Sequence, residues 1–280
     1  MKIASKKNLT RILGLYMPIT LILVFVLFPI YWTLNMSFMD DKAILSRQIN
    51  YLPKGFTFKN YIVAWNGMGF ANFFKNSLIA SLSASISVIA VSILTGYSLA
   101  RYKFKGKGIF MLLLLCTQFF PGPMLLGPLF DIFKSLGLLN NALSLVLTYT
   151  TLQLSFNSIL MRSFVSGIPF AIEEAAQIDG CNSMQKIVHI LLPLLLPGIV
   201  AGFSFAFIAS WKDFLYALMF LNDSNKHTIS VGLHYMLGEF TMDYGYLAAG
   251  GIIALLPPMI IFLYIQKYLV QGMNIGAVKG

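Results

Sequence analysis

The side chains whose spacing suggests work in common lie in one polar stretch. Glu173-Glu174-Ala175-Ala176 is followed by Asp179-Gly180 and, after nine intervening residues, by Ile190-Leu191-Leu192-Pro193. These residues form no nucleophile–base pattern and no metal-ligand pattern, so the chemistry they suit is noncovalent docking. Pro169 can open a helix there, because the N–H it lacks is unpaired at a helix start. Glu173 and Glu174 then sit in the first turn, where the helix dipole favours negative charge. Gly180 can end the helix in a left-handed turn. Ile172, Ala175, Ala176 and Asp179 share one face of such a helix, and the two alanines keep it slim enough for a partner's groove. The alternative is an amphipathic loop helix lying on a membrane surface.

Other reactive groups are isolated. His189, His227 and His234 have no ligand-spaced neighbours, so each is expected to be solvated or packed. Cys116 and Cys181 imply neither a disulfide framework nor a metal site. No Walker sequence occurs, so no catalytic residue, cofactor or metal is assigned and the chain itself is not expected to hydrolyse ATP. Gln118 and Asn157 are among the few strongly polar side chains within apolar segments. An uncharged solute needs a few hydrogen-bonding groups along an otherwise apolar path, and one of this pair is a candidate for that role. Hydrogen bonding between helices is the competing assignment. No Asp, Glu, Lys or Arg occupies the middle of an apolar segment, which argues against a proton- or ion-driven carrier. No internal repeat of the kind secondary transporters carry is visible.

The elements that must position these residues are membrane helices. Of the 280 residues, 58% are hydrophobic and 11% charged, the balance of a chain solvated by lipid. The net charge of +10 comes from short basic clusters beside apolar segments, a topology signal rather than a nucleic-acid surface. Six spans are expected, at about 12–34, 77–100, 109–130, 141–161, 191–210 and 248–266, in one all-α integral membrane domain covering 1–280. All are expected to be helical, since backbone in lipid must satisfy itself. The first, about 35 Å long as a helix, lacks a small-residue cleavage site and reads as a retained span. In the second, Ser77, Ala80, Ser81, Ala84, Ser85 and Ser87 recur at spacings that allow close helix approach. The third is interrupted by Pro121-Gly122-Pro123 and Pro128, marking either a pathway position or a structural kink. Lysine and arginine counts place both termini and the loop 162–190 on the cytoplasmic side. Arg101-Tyr102-Lys103-Phe104-Lys105-Gly106-Lys107 reads chiefly as a topology anchor, with an anionic-lipid or nucleotide contact as alternatives.

The pattern E-A-A, three residues, G, nine residues, I-x-L-P resembles the coupling motif of binding-protein-dependent ABC importer permeases. Three further stretches resemble the carbohydrate, maltose-type branch of that family. They are Ser135-Leu136-Gly137-Leu138-Leu139-Asn140-Asn141, then Trp211-Lys212-Asp213-Phe214-Leu215, and the ending from Gln266 to Gly280. The second departs from the branch's W-N-E-F at Lys212 and Asp213. The similarity runs from about Asn60 to the last residue, and the first 50 residues match in hydropathy only. The resemblance implies the ABC importer permease fold, in a bacterial or archaeal inner membrane. It implies a permease for a di- or oligosaccharide that works by alternating access with a second permease subunit, two ATPase subunits and an extracytoplasmic solute-binding protein. Glu173, Glu174, Ala175, Ala176, Asp179 and Gly180 would engage the ATPase, and Gln271, Gly272, Gly276 and Lys279 in the tail would reach between the ATPase subunits. The loop from Asn222 to Tyr246 would face the binding protein. A permease of the same superfamily for an amino acid or phosphate ester is the runner-up, ahead of an ion-coupled carrier.

Overall fold

The computed structural model describes residues 12–238 and 243–277, and among these the chain is helical with no strand. The elements used below are α1 (Met17–Ser37), α2 (Phe70–Arg101), α3 (Lys107–Thr117), α4 (Leu126–Ser135) and α5 (Ala142–Gly167). They continue with α6 (Phe170–Ile178), α7 (Leu196–Trp211), α8 (Leu215–Phe220), α9 (Ile229–Tyr235) and α10 (Tyr244–Ala277). The chain divides into two compact units, one of residues 1–70 and 233–254, the other of residues 71–232 and 255–280.

Among the described residues, Gly14–Ser37, Phe70–Arg101 and Tyr244–Gln266 are long and apolar enough to cross a membrane. Two bent pairs raise the number to five if each is one span: Lys107–Thr117 with Gly122–Ser135, bent by 97°, and Lys186–Leu194 with Leu196–Trp211, bent by 75°. α5 is 26 residues long yet is not in this set, because Thr148, Thr150, Thr151, Gln153 and Asn157 dilute its apolar character. The first bend falls at Pro121-Gly122-Pro123, where prolines remove backbone donors and leave carbonyls to be paired elsewhere. The Gly122 carbonyl is taken by the Tyr216 hydroxyl at 2.6 Å. At this carbonyl the break is closed by protein.

Small residues set the core of the larger unit. Ala80, Ser81, Ala84, Ser85 and Val88 of α2 are buried, consistent with a seam that admits neighbouring helices. A Cβ on Gly96 would stand 2.6 Å from Met161 Cβ and 2.7 Å from the Arg162 amide nitrogen, so α2 and α5 touch backbone to backbone there. A Cβ on Gly202 of α7 would stand 2.6 Å from Asn157 Oδ1 and 2.8 Å from Ile89 Cδ1, where α7, α5 and α2 converge. Without a hydrophobic drive between helices in lipid, such close packing is what holds them together.

In the smaller unit α1 is exposed along its apolar length. The segment after it is knotted by polar bonds from buried side chains. Asn60 Nδ2 donates to the Ser37 and Met39 carbonyls at 3.0 and 2.8 Å, and Asn35 Nδ2 to the Asn50 carbonyl at 2.9 Å. Phe38, Phe56, Phe58 and Tyr61 stack around this knot. The segment between α1 and α2 is therefore folded, with short helices at Asp41–Ile44 and Lys59–Ile62.

The packing makes a prediction. Gly96→Val and Gly202→Val should each cost about 1–3 kcal/mol through overpacking and lower the thermal midpoint of the protein in detergent. Gly108→Val, where a Cβ meets nothing within 4 Å, should leave it unchanged. Equal midpoints for all three would show that the helices do not approach as described.

Candidate functional site

α6 begins after Pro169, whose backbone is extended at its N-cap, and ends before Gly180. Gly180 adopts φ +86°. Its N–H donates to the Gln177 carbonyl at 3.1 Å and the next N–H, of Cys181, reaches back to Ala176 at 3.0 Å. This paired arrangement is a Schellman motif, which satisfies carbonyls that a helix end otherwise leaves open. Two residues on, Asn182 and Gln185 cap each other: Gln185 N donates to Asn182 Oδ1 and Asn182 N to Gln185 Oε1, both at 2.9 Å. That reciprocal capping box starts the helical segment leading to α7.

One face of α6 is anchored to its own chain. Glu173 is only 2% exposed and pairs through Oε1 with Arg101 Nε at 2.5 Å. The Tyr97 hydroxyl donates to the other carboxylate oxygen at 3.1 Å. Arg101 also donates from Nη2 to the Ile168 carbonyl at 2.9 Å, just past the end of α5, and lies over the Phe170 ring at 5.6 Å. It is the only salt bridge among the described residues. The guanidinium thus ties together the ends of α2 and α5 and the start of α6.

The opposite face is open. Ala171, Glu174, Ala175 and Ile178 are exposed and follow one another at three, one and three residues, a single stripe on a helix. Ile178 is 87% exposed, a large apolar side chain with no cover. The expected face is corrected on two points. Ala176 is buried and does not share a surface with Ile172, Ala175 and Asp179, which are exposed. Glu173 does not face outward either, because its carboxylate is consumed by Arg101 and Tyr97. Sequence reading missed Ile178, whose place one turn after Glu174 was the available signal. It also missed Arg101 and Tyr97, for which no local signal exists.

Gln118 is exposed and caps the end of α3, next to the break. Asn157 is fully buried, donates to the Gln153 carbonyl at 3.0 Å, and packs its Oδ1 against Gly202. The two are not brought together as parts of one site. Asn157 thus sits where α5 meets α7, with its side-chain hydrogen bond made inside α5. Gln271, Gly272 and Gly276 fall within α10, while Lys279 lies outside the described residues.

Two stretches singled out in the sequence order the end of the larger unit away from α6. Asn140, in the left-handed region at φ 57°, accepts from the Asn222 and Asp223 amides at 2.5 and 3.0 Å. Asn141 caps α5 by accepting from Leu143 N at 3.0 Å. Asp213 accepts from the Tyr149 hydroxyl at 2.8 Å and from Ala217 N at 3.2 Å. Burial pushes its carboxyl upward in pKa, against the pull of these bonds. Trp211 beside it is buried and stacks on Phe207 at 5.5 Å.

The described residues thus combine apolar helices, among them two sharply bent pairs, with a loop helix anchored to its own chain on one face and exposed on the other. Residues 89–275 match the family model described as the binding-protein-dependent transport system inner membrane component, and the chain belongs to this family. It is 32% identical over 278 residues to the inner membrane ABC transporter permease protein YcjP of Escherichia coli K12, covering 99% of each chain. It is 31% identical to the trehalose/maltose transport system permease protein MalG of Thermococcus litoralis, covering 93% of this chain and 94% of that one. In fold it is similar to a chain of a bacterial ABC transporter involved in the import of the acidic polysaccharide alginate. There the TM-score is 0.81 at 22% identity, over 92% of this chain and 97% of the other.

The loop geometry can be tested at Gly180. A Cβ there meets nothing within 4 Å, so Gly180→Ala is opposed only by its left-handed backbone, at about 1–2 kcal/mol. Gly180→Asn, which tolerates that conformation, should cost less. Limited proteolysis between 179 and 186 should therefore quicken in the order wild type, Asn, Ala. A reversed order would exclude the left-handed turn.

Proposed function

We propose that the chain is the membrane-spanning permease subunit of an ATP-driven importer for a sugar, a di- or oligosaccharide, working by alternating access. ATP hydrolysis belongs to two separate ATPase subunits. A second permease subunit completes the path and an extracytoplasmic solute-binding protein delivers the sugar. Six spans and cytoplasmic termini complete the reading, supported by the excess of lysine and arginine on the side of the 162–190 loop. The sugar class is supported by the trehalose/maltose relative and by the stretches that resemble the carbohydrate branch.

The carrying observation is the outward stripe of α6, held in place by its buried opposite face. Ala171 and Ala175 keep the helix narrow, Ile178 supplies an apolar anchor, and Glu174 supplies charge near the helix start. Helix-in-groove recognition uses this arrangement. A ligand or partner shifts a conformational balance only through contacts that differ between states, so the stripe is where ATPase closure must be felt.

Two experiments test the reading. Glu174→Lys and Ile178→Asp should insert normally but lose at least about tenfold in ATPase-subunit retention on purification, the scale of a hot-spot loss; retention by both would remove the docking assignment. For orientation, a cysteine replacing Lys105 should react only with membrane-permeant maleimides, whereas one replacing Lys226 should react with impermeant reagents from outside. Labelling of position 105 from outside would reverse the topology.

A further inference from the structure

We propose that Arg101 and Tyr97 are positioning residues of the coupling site, through which a displacement of α6 is delivered to α2 and, along α2, to the segment 225–229 at the far end of the larger unit. The proposal rests on the reading of α6 as the ATPase docking helix.

α6 joins the chain through Pro169 at one end and Gly180 at the other, and its nine residues are too few to impose direction by themselves. What it pushes on is set by its side-chain contacts. Toward the segment 186–191, against which it also packs, its one side-chain hydrogen bond among the described residues is exposed, Lys186 Nζ to Gln177 Oε1 at 3.4 Å. Toward α2 it has a buried carboxylate held at both oxygens, by Arg101 Nε at 2.5 Å and Tyr97 at 3.1 Å. Buried, charge-assisted bonds are shorter and stiffer than exposed ones. The guanidinium is a planar fork, so it fixes orientation as well as distance.

α2 is suited to carry the movement. It runs unbroken for 32 residues with no internal proline, whereas α3–α4 and the 186–211 pair are bent sharply. From Arg101 to Asn76 it spans about 38 Å at 1.5 Å per residue. At that far end Asn76 Nδ2 donates to the Asn225 and His227 carbonyls at 2.8 and 3.0 Å. Ser77 Oγ accepts from Ile229 N at 2.7 Å. α2 is therefore bonded at one end to the docking helix and at the other to 225–229, and a shift along its axis must carry that segment or break these bonds, of which Ser77–Ile229 is buried. Close-packed interiors transmit such strain rather than absorb it.

The test uses the complete transporter in proteoliposomes, with Cys116 and Cys181 replaced by serine and Asn225→Cys as a reporter. Maleimide labelling of that cysteine is measured with and without ATP plus vanadate, alongside ATPase-subunit retention. With the Arg101–Glu173 pair intact, the nucleotide should change the labelling rate by about fivefold or more. Arg101→Gln and Glu173→Gln should abolish that response in the fraction of transporter that retains its ATPase subunits. Arg101→Glu combined with Glu173→Arg should restore at least half of it, which a merely structural role would not produce. A response that persists in both single variants, or is absent with the pair intact, overturns the proposal without touching the docking reading. That reading instead fails if Glu174→Lys and Ile178→Asp keep the ATPase. If both Arg101 and Glu173 variants fail to assemble, Tyr97→Phe decides, since it keeps the ion pair: an unchanged response there also overturns the proposal.

Discussion

Burial of the Glu173 carboxylate is the constraint from which the coupling loop takes its form. An ionised carboxylate out of water is tolerated only when paired and hydrogen-bonded, and here both oxygens are engaged. Removing one partner of such a pair costs about 3–5 kcal/mol, although the pair as a whole adds little net stability over an apolar substitute. Its effect is geometric. It selects which side of α6 faces the chain, and a helix of nine residues, marginal alone, acquires a single orientation. The stripe through Ala171, Glu174, Ala175 and Ile178 is left outward as a consequence.

The helices that receive this loop are held by a different rule. Gly96 and Gly202 let backbone meet side chain or backbone where α2, α5 and α7 cross. In lipid the attraction between helices is mostly contact at close range, so small residues take the part that large apolar ones play in a water-soluble core. Polar groups then serve as local closures. Tyr216 closes the carbonyl freed at Gly122, Asp213 joins Tyr149 to the start of α8, and Asn140 holds the turn at 222–223. Each closure lies at a helix end or break, where the ladder of backbone bonds stops.

Pro169, Gly180, the capping pair Asn182 and Gln185, and the Pro121-Gly122-Pro123 break could be read, or were open to reading, along the chain. Their effects are local: a missing N–H, a permitted left-handed φ, a side chain that reaches three residues. The apolar stretches likewise announced helices, because lipid leaves the backbone no other way to satisfy itself. Other features came only with the fold. A helical wheel places Glu173, Glu174 and Ala176 at angles around α6 but does not say which angle is covered. That depends on Arg101, 72 residues earlier in the chain. The placement of the Asn157 amide against Gly202, on another helix, is likewise not visible along the chain. Pairings between distant residues are set by how helices cross, and crossing is decided by the shapes of both partners, which no single stretch of sequence contains.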